Sequence, residues 1–371
     1  MDKLIKIHVG LDVHKDSITV AQAMPGRDGA RLVGKVVHDI PKLLKVLAKI
    51  GSPEQLHLVY EAGPTGFGLQ RALSQRGYAC EVIAPSKVPK QPGNRIKNDM
   101  RDAVELAQRS RSGDLRAIWI PDPADEAIRD LVRAREDAVN ARTQARHQLS
   151  AFLLRHSTTY PGKTKWCGVH ARWLAEVSFD APSSQTAFTE YWLAVKSTDE
   201  RVERLTAAVL GAIGDWRFEP VVAALQTMRG IASITAVGLV AEIGDFERFG
   251  SARQLMGYLG LVPSERSSGE RTARGSITKT GNGHARRLLT EAAWNYRFAA
   301  RISTDIHARQ AAASEVVQTM AWKAQLRLTK RFAALNARGV QKNKVCVAVA
   351  RELAGFVWAI GRQAQSESRH N

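Results

Sequence analysis

Several things are scarce in this chain of 371 residues, and each scarcity narrows what it can be. It has three cysteines, Cys80, Cys167 and Cys346, far apart, with no CxxC pair and no Cys/His cluster. A zinc site is therefore not expected, and so sparse and odd a count points to a reducing compartment. No run of about 18 apolar residues occurs, and the N-terminal stretch has no apolar segment of the signal-peptide kind. A cytoplasmic protein with no membrane partner is the expectation. Acidic residues are also in deficit, at 36 Asp/Glu against 54 Lys/Arg, a formal net charge of +18. The simplest physical use of such a surplus is to hold a polyanion by displacing its counterions. The length allows two or three domains with a real core.

What is present falls into three regions. The first opens with Ile5 to Val20, where an apolar run ends at Asp12, a polar turn follows and a second alternating run returns. That pattern reads as a strand, a tight turn and an antiparallel strand. Arg31–Val37 is a third strand, Ile40–Ile50 a helix with Pro41 in its first turn, and Leu56–Ala62 a buried strand ending in Glu61. A Gly63-Pro64-Thr65-Gly66 break precedes a helix at about 68–76, a strand at 80–84, a Pro- and Lys-bearing loop at 85–93 and a helix starting near Asn98. This order predicts an α/β domain with a mixed sheet over residues 1–122.

From Ala124 to about His156 a long polar helix carries one apolar stripe, and a second long helix runs from about Gln185 to Ile213. Joined through an irregular stretch, the pair predicts an antiparallel coiled-coil arm over 123–215, a common dimerisation device. Residues 216–365 read as helical and Gly-punctuated. Val221–Met228 and Ile234–Gly244, with Gly230 between them, have the outline of a helix–hairpin–helix, whose backbone amides often meet phosphates. Pro263–Gly283 reads as a polar loop rich in Ser, Gly and Arg. Helices follow at about 285–301, 313–335 and 344–363, and the tail 366–371 reads as disordered. Residues 264–344 hold 16 Lys/Arg against 5 Asp/Glu, a net of +11, with Trp294, Tyr296, Phe298 and Trp322 among them. That is the composition of a nucleic-acid contact surface.

Four acids carry the chemistry. Asp12 and Glu61 each end an apolar strand; if those strands are adjacent and parallel, both carboxylates emerge at one sheet edge. Asp99 and Asp102 are i and i+3 on a helix and share a face. Four converging carboxylates need cations, and two magnesium ions about 4 Å apart suit in-line attack on a phosphodiester. Singly, each has an ordinary explanation: Asp99 as a helix cap, Asp12 as a turn residue, Glu61 as a surface acid. In the loop, Ser268 before Gly269 is flanked by Arg266, Arg271, Arg274 and Lys279, so a nucleophile can have its phosphate held by cations. A flexible loop touching DNA backbone fits the same spacing.

At these positions the chain resembles the IS110 family of insertion-sequence transposases. The resemblance rests on Gly10-Leu11-Asp12-Val13-His14-Lys15, Glu61-Ala62-Gly63-Pro64-Thr65-Gly66 and Lys97-Asn98-Asp99-Met100-Arg101-Asp102-Ala103. It continues through Gly257–Pro263, Ser267-Ser268-Gly269, Gly275–Gly281 and Arg286-Arg287-Leu288-Leu289, covering about residues 5–300. Asn98 stands where the family often has Thr. The resemblance implies a ribonuclease-H-like N-terminal domain similar to Holliday-junction resolvases, with Asp12, Glu61, Asp99 and Asp102 as magnesium ligands. It implies that Ser268, or its neighbour Ser267, attacks DNA to form a covalent phosphoserine. It further implies guidance by a bridge RNA that pairs with target and donor DNA. Dimers would assemble into tetramers in which one subunit's acids face another's serine, with Arg286 and Arg287 joining the basic loop at the nucleic acid. A bacterial, nucleoid-associated recombinase is the expected result. The alternatives are a metal-dependent Holliday-junction-type nuclease, which needs the acids without the serine, and a non-catalytic nucleic-acid-binding protein. An actin-like or kinase fold would need a second α/β half, which the chain lacks.

Overall fold

A computed structural model describes residues 6–85, 88, 98–268 and 271–370, without the side chains of 266–268 and 271–274. Most of the 85–93 loop, Lys97 and the side chains of Arg266, Ser267, Ser268, Arg271 and Arg274 thus lie outside the described residues. The chain divides into two units, 1–120 and 121–371.

In the first unit the alternating apolar segments become β1 (Ile7–Val13), β2 (Ser17–Ala23) and β3 (Arg31–Val37). The helix α1 (Ile40–Leu47), β4 (Leu56–Glu61), α2 (Gly68–Ser74), β5 (Ala79–Ile83) and α3 (Asp99–Ser112) follow. The sheet order is β3-β2-β1-β4-β5. β1 pairs antiparallel with β2 and parallel with β4, and β4 pairs parallel with β5. One face buries Leu11, Leu58 and Tyr60 with Leu43 and Leu47 of α1 and Leu69 and Leu73 of α2. The other face is built for close approach. Ala21 and Ala23 of β2 meet Ala103 and Ala107 of α3. A Cβ on Gly10 would lie 2.2 Å from the Ala103 carbonyl oxygen and 2.5 Å from the Ala107 nitrogen. Glycine at position 10 therefore lets the α3 backbone rest on β1.

The second unit begins with α4 (Pro123–Arg155), α5 (Gly168–Glu176) and α6 (Pro182–Gly211). The buried residues of α6 recur every seventh position, Phe188, Val195, Val202 and Val209, which keeps one seam on its partner. The pairs Arg146–Asp199 and Arg135–Thr206 put α4 and α6 antiparallel. At one end Phe152, Phe179 and Phe188 cluster, with ring centroids 5.3–6.4 Å apart. Then come α7 (Glu219–Leu225), α8 (Ser233–Ile243), α9 (Ala252–Tyr258), β6 (Pro263–Ser268), β7 (Arg271–Ile277), α10 (Gly283–Ala293), α11 (Thr304–Gln310), α12 (Glu315–Ala337) and α13 (Lys342–His370). Every residue of α8 from Ala236 to Ile243 is buried.

Two expectations are corrected. The stretch read as a polar loop pairs as an antiparallel hairpin, with Ser267 opposite Thr272 and Ser268 opposite Arg271. Its Ser/Gly/Arg composition hides the period-2 signal that an apolar strand would give. The tail read as disordered continues α13 to His370. Within it, Glu367 accepts from Ser314 (2.8 Å) and Arg369 pairs with Glu247 (2.5 Å).

Candidate active site

The site is built where β1, β4 and α3 end or begin. Leu11 and Tyr60 are the last register pair of β1 and β4, so Asp12 and Glu61 stand next to each other in register at the same end of parallel strands. Gly10 and Asp12 alternate with the buried Leu11, which puts Asp12 on the α3 side of the sheet. Val59 packs with Leu106 of α3, so Glu61, two residues on, is on that side as well. Asn98 caps α3, its side-chain oxygen accepting from the Met100 amide at 2.8 Å. Asp99 is thus the first helical residue rather than the cap, and Asp99 and Asp102 share the first turn.

His14, in the turn after β1, joins these acids. Its Nε2 lies 3.0 Å from Oδ2 of Asp12 and 3.5 Å from Oδ1 of Asp99. Lys35 of β3 donates to Oδ2 of Asp99 at 3.0 Å. Register explains its reach: Lys35 pairs with Thr19, and Thr19 with Asp12, in one row across the sheet. The electrostatics divide the two acids. Burial pushes the Asp12 carboxyl up, His14 opposes this, and the like charges of Asp99 and Asp102 add to it. The Lys35 hydrogen bond holds the exposed Asp99 carboxyl down.

Ligand atoms of Asp12, His14 and Asp99 all lie within 4.8 Å of one another. Two carboxylate oxygens and an imidazole nitrogen are donors that divalent cations accept, with Asp102 adding negative potential. The residues therefore fit a divalent metal, which would hold the carboxylates together and offer a Lewis acid to a phosphate oxygen. Of the four acids expected as ligands, Asp12 and Asp99 are in this group, and Glu61 and Asp102 are not. His14 and Lys35 were missed as members of the site. His14 had a signal, two residues after Asp12 on the same turn, whereas Lys35 becomes a neighbour only through strand pairing.

In the second unit the hairpin is anchored at its base. Gly281 has φ +83°, and a Cβ there would lie 2.0 Å from the Tyr258 carbonyl oxygen. The Asn282 amide donates to that same oxygen at 3.1 Å. Glu242 of α8, its side chain 1% exposed, accepts from Nε of Arg133 (2.8 Å) and Nδ2 of Asn282 (2.6 Å), with Nδ1 of His284 at 3.2 Å. Burial alone would raise the Glu242 carboxyl, but the hydrogen bonds from His284, Arg133 and Asn282 and the Arg133 charge leave it far below the usual range. Of the expected nucleic-acid contacts, Lys279 is exposed. Arg286 donates to the Leu259 carbonyl at 2.8 Å, and Arg287 pairs with Glu136 (2.7 Å) and Glu291 (2.6 Å).

Carboxylates gathered at the ends of central strands, in a chain of net charge +18, are the arrangement found in the class of enzymes that process phosphodiesters. Residues 9–158 match the DEDD transposase model of the IS110 group, and residues 222–307 match the model of the transposase IS116/IS110/IS902 family. A putative transposase of Sinorhizobium fredii, y4qE, is 46% identical over 359 residues, covering 96% of this chain and 89% of that protein. The transposase for insertion sequence element IS1533 of Leptospira borgpetersenii is 31% identical over 332 residues, covering 88% and 96%. The transposase for insertion sequence element IS1111A of Coxiella burnetii is 26% identical over 371 residues, covering 96% and 90%. The chain belongs to the IS110 family of transposases, and it is a DNA transposase. Among the described residues, no helix is long and apolar enough to cross a membrane.

Proposed function

We propose that this transposase cleaves and exchanges DNA strands using two centres, a magnesium site held by Asp12, Glu61, Asp99 and Asp102 and a nucleophile, Ser268, on the β6–β7 hairpin. What carries the first half of this reading is the convergence of Asp12 and Asp99 to within 4.8 Å of each other and of His14. Magnesium, when bound, supplies Lewis acidity toward a phosphate oxygen. The carboxylates would fix its position, and the hydrogen bond from the Lys35 ammonium favours the ionised form of Asp99. The Ser268 hydroxyl gives up its proton as it attacks phosphorus, the bond to the 3′ oxygen breaks and that oxygen leaves as a protonated 3′-hydroxyl, and the phosphodiester is retained as a phosphoserine that the 3′-hydroxyl of a second strand end can reverse without ATP. The family resemblance supports both the serine and a bridge RNA that pairs with target and donor DNA.

The N-terminal 122 residues form, in this reading, a ribonuclease-H-like catalytic domain, supported by a five-stranded sheet of mixed direction. Residues 123–215 serve as a coiled-coil arm for dimerisation, supported by the seven-residue recurrence on α6. Residues 216–365 form the transposase domain with a helix–hairpin–helix-like unit. Dimers pair into tetramers so that one subunit's acids serve another's serine. Arg266, Arg271, Arg274 and Lys279 hold phosphates at the hairpin, and Arg286 and Arg287 complete the surface. The enzyme works in the bacterial cytoplasm, at the nucleoid.

Recombination between donor and target plasmids, with the guide RNA supplied, tests the reading. Asp12→Asn is expected to abolish recombination while nucleic-acid binding persists. Recombination at the parental rate by that variant would remove the metal site from the mechanism.

A further inference from the structure

α12 carries a charged groove that neither the acid cluster nor the hairpin uses. Its inner stripe, Val317, Ala321, Ala324, Leu328, Phe332 and Leu335, is buried. The opposite stripe presents Lys323, Leu326, Lys330 and Ala334, at i, i+3, i+7 and i+11. On the flank toward α13, Nε of Arg327 and Nε of Arg331 both reach Glu352, at 2.8 and 3.2 Å. Together these side chains line an open groove of about 590 Å³. Its wall has four cations and one carboxylate. Among the described residues neither Lys323 nor Lys330 has an ion-pair partner. Leu326 is 47% exposed on the floor, and Trp322 is 37% exposed one turn away.

Unpaired like charges around an apolar floor disfavour the isolated protein and favour an anionic occupant. An apolar protein face is a poor candidate, because it would bury the two lysine charges without compensation. A sugar–phosphate backbone suits the groove on both counts. Its phosphates meet the ammonium groups, which stand about 10 Å apart along the helix at 1.5 Å per residue. Its sugars, or an unstacked base, can lie on Leu326 and Trp322.

We propose that the α12 groove is a sequence-independent binding track for a nucleic-acid backbone. Lys323 and Lys330 each neutralise a phosphate, and Arg327 and Arg331 form a rim fixed by Glu352. The proposal rests on the chain's role as a transposase but involves none of the residues given to catalysis. Cations that meet phosphates position a nucleic acid without reading its bases, so the groove contributes affinity and register rather than target choice.

The test is the salt dependence of binding by the full-length protein. The probes are a random-sequence DNA duplex and a structured RNA hairpin of equal length, and the variants are Lys323→Gln/Lys330→Gln and Lys323→Arg/Lys330→Arg. Both lysines are exposed, and circular dichroism checks that the fold is retained. For the Gln pair, the slope of log K against log salt is expected to become shallower by about 2 on at least one probe, roughly 0.9 for each lost phosphate contact. The Arg pair is expected to keep the parental slope. Whether DNA or RNA shows the change identifies which nucleic acid occupies the groove. An unchanged slope on both probes, or an equal loss in the Arg pair, overturns the proposal. So does an altered oligomeric state with no change in slope, which would assign the groove to a protein contact. If the parent protein binds neither probe, the underlying functional reading fails with it. If the parent binds and the Gln pair matches it, only the groove is lost.

Discussion

Nε2 of His14 lies 3.0 Å from Oδ2 of Asp12, and the same nitrogen lies 3.5 Å from Asp99. One imidazole thus bridges two carboxylates at the point where β1 ends and α3 begins. A divalent cation bound there would take up these same three donors. Adding Mg²⁺ is expected to raise the melting temperature, by the equivalent of about 2.7 kcal/mol at a hundred times its Kd. Asp12→Asn and Asp99→Asn should remove the increase. His14→Ala should reduce it by less, because hard cations favour oxygen donors. Calorimetric scans with Mg²⁺ and with a chelator check this, and equal shifts in all four proteins would refute it.

Gly10→Ala tests whether the helix–sheet contact sets the acids in place. The added methyl would meet the α3 backbone at Ala103 and Ala107, neither of which is a flexible side-chain end. Overpacking of this kind costs about 1–3 kcal/mol. Because the shift must move α3, the Mg²⁺-induced stabilisation should shrink as well. Denaturant unfolding with and without Mg²⁺ measures both effects.

Glu242 gives a pH signature. Its folded-state carboxyl is held below the unfolded value by His284, Arg133 and Asn282 against the opposing cost of burial. A depressed carboxyl contributes stability that is fully present above its unfolded pKa, about 4.3, and is lost as pH falls toward the folded value. Glu242→Gln is therefore expected to be less stable than the parent by about 2–3 kcal/mol near pH 7. The difference should narrow steadily below about pH 4. Melting temperatures between pH 3 and 7 record the convergence; parallel curves would contradict it.

Gly281→Ala examines the hairpin base separately. Its positive φ and the 2.0 Å approach to the Tyr258 carbonyl leave no room for a side chain. A loss of about 1–3 kcal/mol is expected, together with slower strand transfer. A control at the exposed Gly339, whose φ of +71° is also positive but which has no atom within 4 Å of a Cβ, should lose stability without the same loss of transfer.

How much of this was legible depends on whether a signal is local. The strands ending at Asp12 and Glu61 announced themselves as apolar runs stopped by an acid, and their parallel pairing is what brings the two carboxylates to one edge. The long helices were visible from their stripes, and the structure extends the second to begin at Pro182. The β6–β7 hairpin was hidden because its sequence is rich in Ser, Gly and Arg, so alternation left no trace. Lys35 was hidden for another reason: it reaches Asp99 from two strands away, and only the register of β3 on β2 and of β2 on β1 brings it there. Glu242 sat in an apolar segment, where its partners Arg133 and Asn282, 109 and 40 residues distant, could not be guessed. The order of the α13 tail likewise rests on contacts with residues as far away as Glu247.

The central claim is that strand exchange passes through a phosphoserine on the β6–β7 hairpin. The most direct measurement is to incubate the protein with guide RNA, donor and target DNA and Mg²⁺, then to denature and digest it and map covalently attached nucleotide by mass spectrometry. The account predicts nucleotide on Ser268, absent from Ser268→Ala and from Asp12→Asn. Adduct on a residue other than Ser268, or strand exchange by Ser268→Ala at the parental rate, would contradict it.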